Sequence, residues 1–430
     1  MEFAISNKKD DKVVLNAGQQ KAVDNLIDFI ASPFDKSRYI QALCGAGGVG
    51  KTFVTKYVML HCKYTMSAIV CAAPTHKACR VLANATGHNV DTIQKLFGFR
   101  LDVNIDDFDP NNPAFKPIGS IKFNGLQTRV LIIDESSMLN RALVNYICNY
   151  CRKQEIKVIF IGDDAQLFPV KEGQSYAFKI AYKINRLTEI VRQEDDNPIR
   201  ELLDILRIDI KNNTYNFLSY ICNHRKNVVD NKGYIVVNKP EFRQLVSRGF
   251  LDKDFEKNVD LYRLVAYTND AVTSWNSYIR NGTIKNAERN ILNNNDLLMS
   301  YTTIVDEFND IIINNSEDYI VRDILNYVDQ DYAFKGYMIK FQAIHGGGIT
   351  KPLFVINHND PYTFNTYIQE LNSLLNEAKT ATSYDRSSKW KKYFEFKRKY
   401  LILCNVKNVL GEVIYTRDID YGFAITAHKA

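Results

Sequence analysis

Residues 39–60 read YIQALCGAGGVGKTFVTKYVML, and their order decides the fold. A short apolar run, YIQAL at 39–43, ends in a glycine-rich loop that opens into a stretch with helical spacing. The loop satisfies the phosphate-binding pattern G-x-x-x-x-G-K-[ST] through Gly45, Ala46, Gly47, Gly48, Val49, Gly50, Lys51 and Thr52. Glycines let backbone N–H groups curl around phosphate oxygens, and the following helix N-terminus adds a partial positive charge. Lys51 is then the residue to reach the β- and γ-phosphates, and the Thr52 hydroxyl a ligand for Mg²⁺. A glycine-rich structural turn is the bland alternative, and the strand before and helix after argue against it.

The same rhythm extends outward. Apolar runs at 68–73 (AIVCAA), 129–134 (RVLIID) and 157–163 (KVIFIGD) alternate with helix-like stretches at 18–30, 51–63, 76–85 and 139–153. Short apolar strands alternating with helices predict a parallel sheet covered on both faces. Asp134 and Glu135 close one of these strands. A carboxylate there can hold a metal, directly or through water, and its neighbour can orient and deprotonate an attacking water. Gln166 follows another strand, in GDDAQLFPV (162–170), where its amide can touch a γ-phosphate or lie in solvent.

Composition bounds the rest. The chain has 430 residues, 46% hydrophobic and 24% charged, with a formal net charge of +6. That balance tolerates an anionic partner without identifying one. Met1–Val14 carries Lys8, Lys9, Asp10, Asp11 and Lys12 in place of an apolar signal core, and no apolar run approaches the roughly 20 residues of a membrane span. A soluble, intracellular protein without a membrane partner is expected. Of the eight cysteines, Cys148 and Cys151 form a C-x-x-C among Val144, Tyr146, Ile147 and Tyr150, which reads as one buried helix face.

Four segments, GAGGVGKT, APTHKA (73–78), IIDES (132–136) and GDDAQLFPV, together resemble the ordered motifs of superfamily 1 helicases. The likeness is to the 5′→3′ branch containing the PIF, RecD and Dda types, in a bacterial or phage member. LNAGQQKAV (15–23) is similar to the adenine-reading element, which puts Gln19 at the base edge. LTEIVRQ (187–193) resembles the segment whose arginine, here Arg192, acts as a finger on the γ-phosphate. The resemblance assigns catalytic roles to Lys51, Glu135, Gln166 and Arg192, with ATP and Mg²⁺ as cofactors. It assigns DNA contacts to Pro74, Thr75, His76, Lys77, Thr92, Asn269 of VAYTNDAV (265–272), and His428 and Lys429 of ITAHKA (425–430). The family would continue past Ala430 with a motif carrying another arginine.

The resemblance implies an α/β protein with two RecA-like P-loop motor domains built on parallel sheets, plus two small inserted domains. It puts the first motor at 1–98 and 123–190, and a wedge insert at 99–122 whose Phe99, Phe108 and Phe115 are candidates for stacking on a base pair, with core packing of the insert the favoured reading of each. The second motor spans 191–282 and 401–430, with an SH3-like insert at 283–400. In that insert the basic aromatic run Trp390–Tyr400 either tracks a single strand or forms a solvated amphipathic helix. The expected activity is ATP-dependent 5′→3′ translocation on single-stranded DNA and unwinding at single-/double-strand junctions. A G-quadruplex or RNA–DNA hybrid stays open as a substrate. The expected protein is a monomer in the bacterial nucleoid or a phage-infected cell. A nucleotide-gated single-strand clamp with weak ATPase activity is the alternative, and a P-loop ATPase acting on other substrates a further one.

Overall fold

The computed structural model describes residues 15–99, 108–110, 115, 117, 119–166, 172, 175–191, 197–306, 311–344, 348–382, 384–407 and 413–427. The chain divides into two compact units, Met1–Arg100 with Ile105–Ile235, and Val236–Ala430 with Leu101–Asn104.

The first unit opens with α1 (Ala17–Ala31), β1 (Ile40–Gly45), α2 (Lys51–His61), β2 (Ile69–Ala73), α3 (His76–Thr86), β3 (Val90–Thr92) and α4 (Ile93–Phe97). It continues through β4 (Val130–Ile133), α5 (Arg141–Lys153), β5 (Lys157–Gly162), α6 (Tyr176–Ile180) and β6 (Lys183–Leu187). The six strands form one sheet in the order β3-β2-β4-β5-β1-β6, and every neighbouring pair is parallel. Strands buried on both faces need apolar side chains at successive positions, which explains why β1, β2, β4 and β5 read as largely apolar runs while the edge strands β3 and β6 do not. Val23, Leu26 and Ile30 of α1 and Val54 and Val58 of α2 pack with Leu43, Ile132 and Ile159 of the sheet. The buried Lys157 in β5 is compensated by acceptors at the end of α1, including the carbonyl and hydroxyl of Ser32 at 2.5 and 2.9 Å. Cys148 and Cys151 lie on the buried face of α5 with Leu143, Val144 and Ile147, as their surroundings imply.

After β6 come α7 (Ile199–Asn212), α8 (Asn216–Asn223) and the hairpin of β7 (Lys226–Val229) and β8 (Lys232–Ile235). The division of the chain falls after Ile235, whereas the sequence reading begins the second motor at 191. The side-chain tie between Arg207 on α7 and Asp163 beyond β5 belongs to the first unit. Phe99, Phe108 and Phe115 are buried, not displayed as a wedge. Their rings join Tyr146 in one cluster, with centroids 5.2–5.5 Å apart for Phe99–Phe108, Phe108–Phe115 and Phe108–Tyr146. Rings that bury this much area against each other fill a core and are not offered to a base pair.

The second unit begins with α9 (Lys239–Phe250), α10 (Lys253–Lys257), β9 (Leu264–Ala266), α11 (Asn269–Thr283) and β10 (Leu297–Ser300). A small pair, β11 (Ile304–Val305) and β12 (Ile311–Ile313), precedes β13 (Asp318–Val328), β14 (Lys335–Ala343) and β15 (Leu353–Ile356). Helices α12 (Pro361–Thr380) and α13 (Arg386–Lys399) follow, then the pair β16 (Val406–Lys407) and β17 (Val413–Tyr415), β18 (Ile419–Tyr421) and β19 (Ala424–Thr426). Among the described strands, parallel pairing here joins β9 with β19, and isolated parallel bridges join Val355 to Leu401 and Leu403 to Ile419. The larger sheet is antiparallel, in the order β15-β14-β13-β10-β18, and so recruits a strand beyond the expected insert boundary at 400. The Trp390–Tyr400 run is α13, and its rings turn inward. Phe396 stacks on Tyr367 of α12 at 5.4 Å, and Tyr400 meets Phe334 at 5.0 Å. Its lysines face outward, with Lys389 on Glu377 at 2.6 Å and Lys399 on Asp329 at 2.9 Å. This is the amphipathic-helix reading, and it leaves no aromatic ladder for a strand to stack on.

Candidate active site

β1 delivers the chain to the C-terminal edge of the parallel sheet, and the loop at 46–50 turns it directly into α2. Gly48 and Gly50 adopt φ of 83° and 85°, a left-handed region that costs an L-residue roughly 1–2 kcal/mol. A Cβ at Gly50 would stand 2.6 Å from Nε2 of Gln19, and one at Gly45 2.5 Å from the Leu187 carbonyl. A side chain at Gly45 would meet fixed backbone, and one at Gly50 would have to displace the Gln19 amide. The N-termini of α1, α3, α4 and α5 are closed by Asn16, Thr75, Thr92 and Asn140, whose side chains accept helix N–H bonds. That of α2 has no side-chain cap. Its donors point into the glycine loop, where a phosphate would satisfy them. Lys51 arches back over the loop, donating from Nζ to the carbonyls of Gly45 and Ala46 at 2.8 and 2.9 Å.

Asp134 and Glu135 leave the end of β4 beside this loop. Asp134 is 9% exposed, and its Oδ1 accepts the Glu135 N–H at 2.9 Å. Glu135 sits at φ 50°, an unfavourable conformation for glutamate of the kind that gathers at functional sites. Burial raises the proton affinity of both carboxyls. The Asp134 charge raises that of Glu135 further, while Lys51 lowers both and Asp163 raises that of Glu135. The four charged groups of the sheet edge thus share one electrostatic environment.

The chain after β5 forms a tight turn. Asp163 is 1% exposed and accepts the Ala165 N–H at 3.0 Å, while its carbonyl accepts the Gln166 N–H at 3.2 Å. Gln166 itself is exposed at the end of this turn. Asp164 pairs with Arg186 of β6 at 2.6 Å. Val191 donates its N–H to the Gly48 carbonyl at 3.1 Å, so the segment approaching Arg192 is fastened to the phosphate loop. Arg192, His428 and Lys429 lie outside the described residues.

Gln19 is buried, and both ends of its amide are engaged. Oε1 accepts the Asn16 N–H at 3.2 Å and Nε2 donates to the Val49 carbonyl at 3.2 Å, which makes it a brace between α1 and the loop. Pro74, Thr75, His76 and Lys77 join β2 to α3, with Pro74 buried and Lys77 exposed. The Thr75 hydroxyl accepts the Ala78 N–H at 3.2 Å, and that of Thr92 the Lys95 N–H at 3.3 Å. Ala73 and Thr92 are register partners, so these two helix starts stand side by side on the edge that carries the phosphate loop. Asn269, in the second unit, accepts from Nη2 of Arg417 at 2.8 Å. Neither Arg417 nor Arg207 carries a sequence signature, because Arg417 reaches Asn269 and Arg207 reaches Asp163 across long stretches of chain.

The donor set suits a hard cation. Thr52 offers a hydroxyl and Asp134 a carboxylate, the few oxygen ligands with which Mg²⁺ is held beside substrate phosphates. Residues 14–219 match the family model described as an AAA domain. The chain is 25% identical over 269 residues to the ATP-dependent DNA helicase Dda of Enterobacteria phage T4, covering 60% of this chain and 55% of Dda. It is 30% identical over 183 residues to the ATP-dependent RecD2 DNA helicase of Deinococcus radiodurans, covering 42% of this chain and 24% of RecD2. A crystal structure of Pif1 helicase from Bacteroides aligns at 20% identity and a TM-score of 0.35, covering 79% of this chain and 74% of that one. The chain spans about half or less of the length of these curated relatives. The AAA-domain match takes in the phosphate loop and the sheet around it, and the chain is similar in sequence to the DNA helicases Dda and RecD2.

Proposed function

We propose that the chain is an ATP-driven DNA motor that moves 5′→3′ along a single strand and separates duplex at junctions. The observation that carries this reading is the crowding of Lys51, Asp134, Glu135 and the 163–166 turn around one uncapped helix N-terminus. Their neighbours on the same edge are the starts of α3 and α4.

In this reading the α2 N–H groups and Lys51 hold the ATP phosphates, and Lys51 exchanges its two loop carbonyls for phosphate oxygens. Thr52 and Asp134 would hold Mg²⁺, which when bound neutralises charge on the phosphates. Glu135 orients the attacking water and takes its proton. Gln166 touches the γ-phosphate or that water, and Arg192 supplies positive charge to it. On the other half of the edge, Thr75, His76, Lys77 and Thr92 grip backbone phosphates, as helix N-termini and lysines do without reading sequence. Asn269, His428 and Lys429 supply the grip of the second unit. Nucleotide state then shifts the strand by biasing one conformation over another.

Unwinding of duplexes with a 5′ or a 3′ single-stranded tail tests the reading. Mg-ATP-dependent separation of the 5′-tailed duplex alone is expected. Unwinding from the 3′ tail reverses the polarity. Tight single-strand binding with no strand separation and little turnover supports a nucleotide-gated clamp instead.

A further inference from the structure

We propose that Arg207 is a positioning residue for ATP hydrolysis, holding through Asp163 the turn that presents Gln166. The inference rests on the ATPase reading of the site and adds a residue to it. Arg207 lies on α7, 44 positions from Asp163 in the chain, and no phosphate-binding motif includes it. Its guanidinium meets the Asp163 carboxylate in a fork, Nη1 to Oδ1 at 3.2 Å and Nη2 to Oδ2 at 2.5 Å. The Asp163 side chain is 1% exposed and that of Arg207 34%. The carboxylate is therefore out of water while the arginine reaches it from the surface. The oxygen that takes Nη1 also takes the Ala165 N–H, and the Asp163 carbonyl takes that of Gln166. Rotating the carboxylate away from the fork would loosen the turn on which Gln166 stands.

The helix bearing Arg207 packs only a half-buried stripe, Leu202, Ile205 and Leu206. Leu203, Ile208 and Ile210 of α7 remain 52–53% exposed, and its one buried residue is Asp209. Asp209 is spent locally, on Thr214, Asn216 and the Phe217 N–H. A helix whose purpose was to complete the fold would bury its apolar stripe. The Arg207 fork instead fixes how α7 meets the end of β5, and a planar fork specifies orientation as a lysine point charge does not.

The test is steady-state ATP hydrolysis by the full chain carrying Arg207→Lys, in the wild-type and in the Gln166→Ala background, with thermal midpoints recorded. Arg207→Lys keeps the charge and should fold with a midpoint close to wild type. It should leave KM for ATP unchanged, because the phosphate loop is untouched, and lower kcat about tenfold or more. In the Gln166→Ala background the same change should have little further effect on kcat, since interacting residues are not additive. The double variant Asp163→Asn, Arg207→Gln removes both charges. It should recover the thermal midpoint lost by Arg207→Gln without recovering kcat. Wild-type kcat in Arg207→Lys, or an equal loss in both backgrounds, would overturn the proposal. No hydrolysis by the unaltered chain would instead overturn the reading beneath it.

Discussion

Two strand-to-helix joints of this molecule are alike in topology and opposite in chemistry. In the first unit β1 runs through left-handed glycines into α2, whose N-terminus has no side-chain cap. In the second, β9 ends at Ala266 and α11 begins at Asn269, with the Thr268 hydroxyl accepting the Ala271 N–H at 3.2 Å. Asn269 is itself engaged by Arg417, which also pairs with Asp420 and lies 3.7 Å above the Tyr301 ring. One joint leaves its helix donors without a side-chain acceptor, and the other caps one of them with Thr268. A parallel strand leading into a helix is thus no evidence of a nucleotide site until its N–H groups are accounted for.

The contrast can be broken at several points. The largest expected effect is on Glu135→Gln, which should lower ATP turnover by about 10²–10⁴-fold while nucleotide binding persists. Equal loss of ADP binding would show that Glu135 holds the loop and does not act on water. Arg417→Met removes one partner of a buried pair and should destabilise the second unit by roughly 3–5 kcal/mol, read by chemical denaturation. A neutral result would remove Arg417 from the account of that joint. Gly50→Ala should cost roughly 1–2 kcal/mol for its left-handed backbone and weaken nucleotide binding as the new Cβ displaces Gln19. Unaltered affinity would mean that the loop does not hold phosphate in this form. The smallest effect belongs to Thr268→Ala, which should lose about 1 kcal/mol of stability with no change in ADP affinity. A fall in ADP affinity would dissolve the distinction between the two joints.

What could be read in advance follows the same division. YIQAL, AIVCAA, RVLIID and KVIFIGD were legible because a doubly covered parallel strand must be apolar throughout, and each fell within a residue or two of an observed strand. The loop and Asp134-Glu135 were legible because their chemistry is local in sequence. In the second unit GYMIKFQAI (336–344) and KPLFVIN (351–357) have strand character, but nothing in them tells that β14 lies between β13 and β15. The Tyr- and Ile-rich DYIVRDILNYV, which forms β13, carries no clear strand signal because its half-exposed face breaks the apolar run. Phe99, Phe108, Phe115 and the Trp390–Tyr400 run gave the same signal whether they stack on bases or on each other. Only their burial decides between the two. Arg207 and Asp163 were invisible as a pair because neither residue type nor spacing announces a contact made across a fold.

In the proposed reading, one sheet edge of the first unit joins a nucleotide site to a DNA grip. ATP hydrolysis by this chain, with and without single-stranded DNA, tests it most directly. Strong stimulation by the strand, lost when Lys77 and Thr75 are both changed to alanine while DNA-free turnover stays, is the result predicted. Turnover that is indifferent to DNA would contradict the claim and leave an ATPase with another partner.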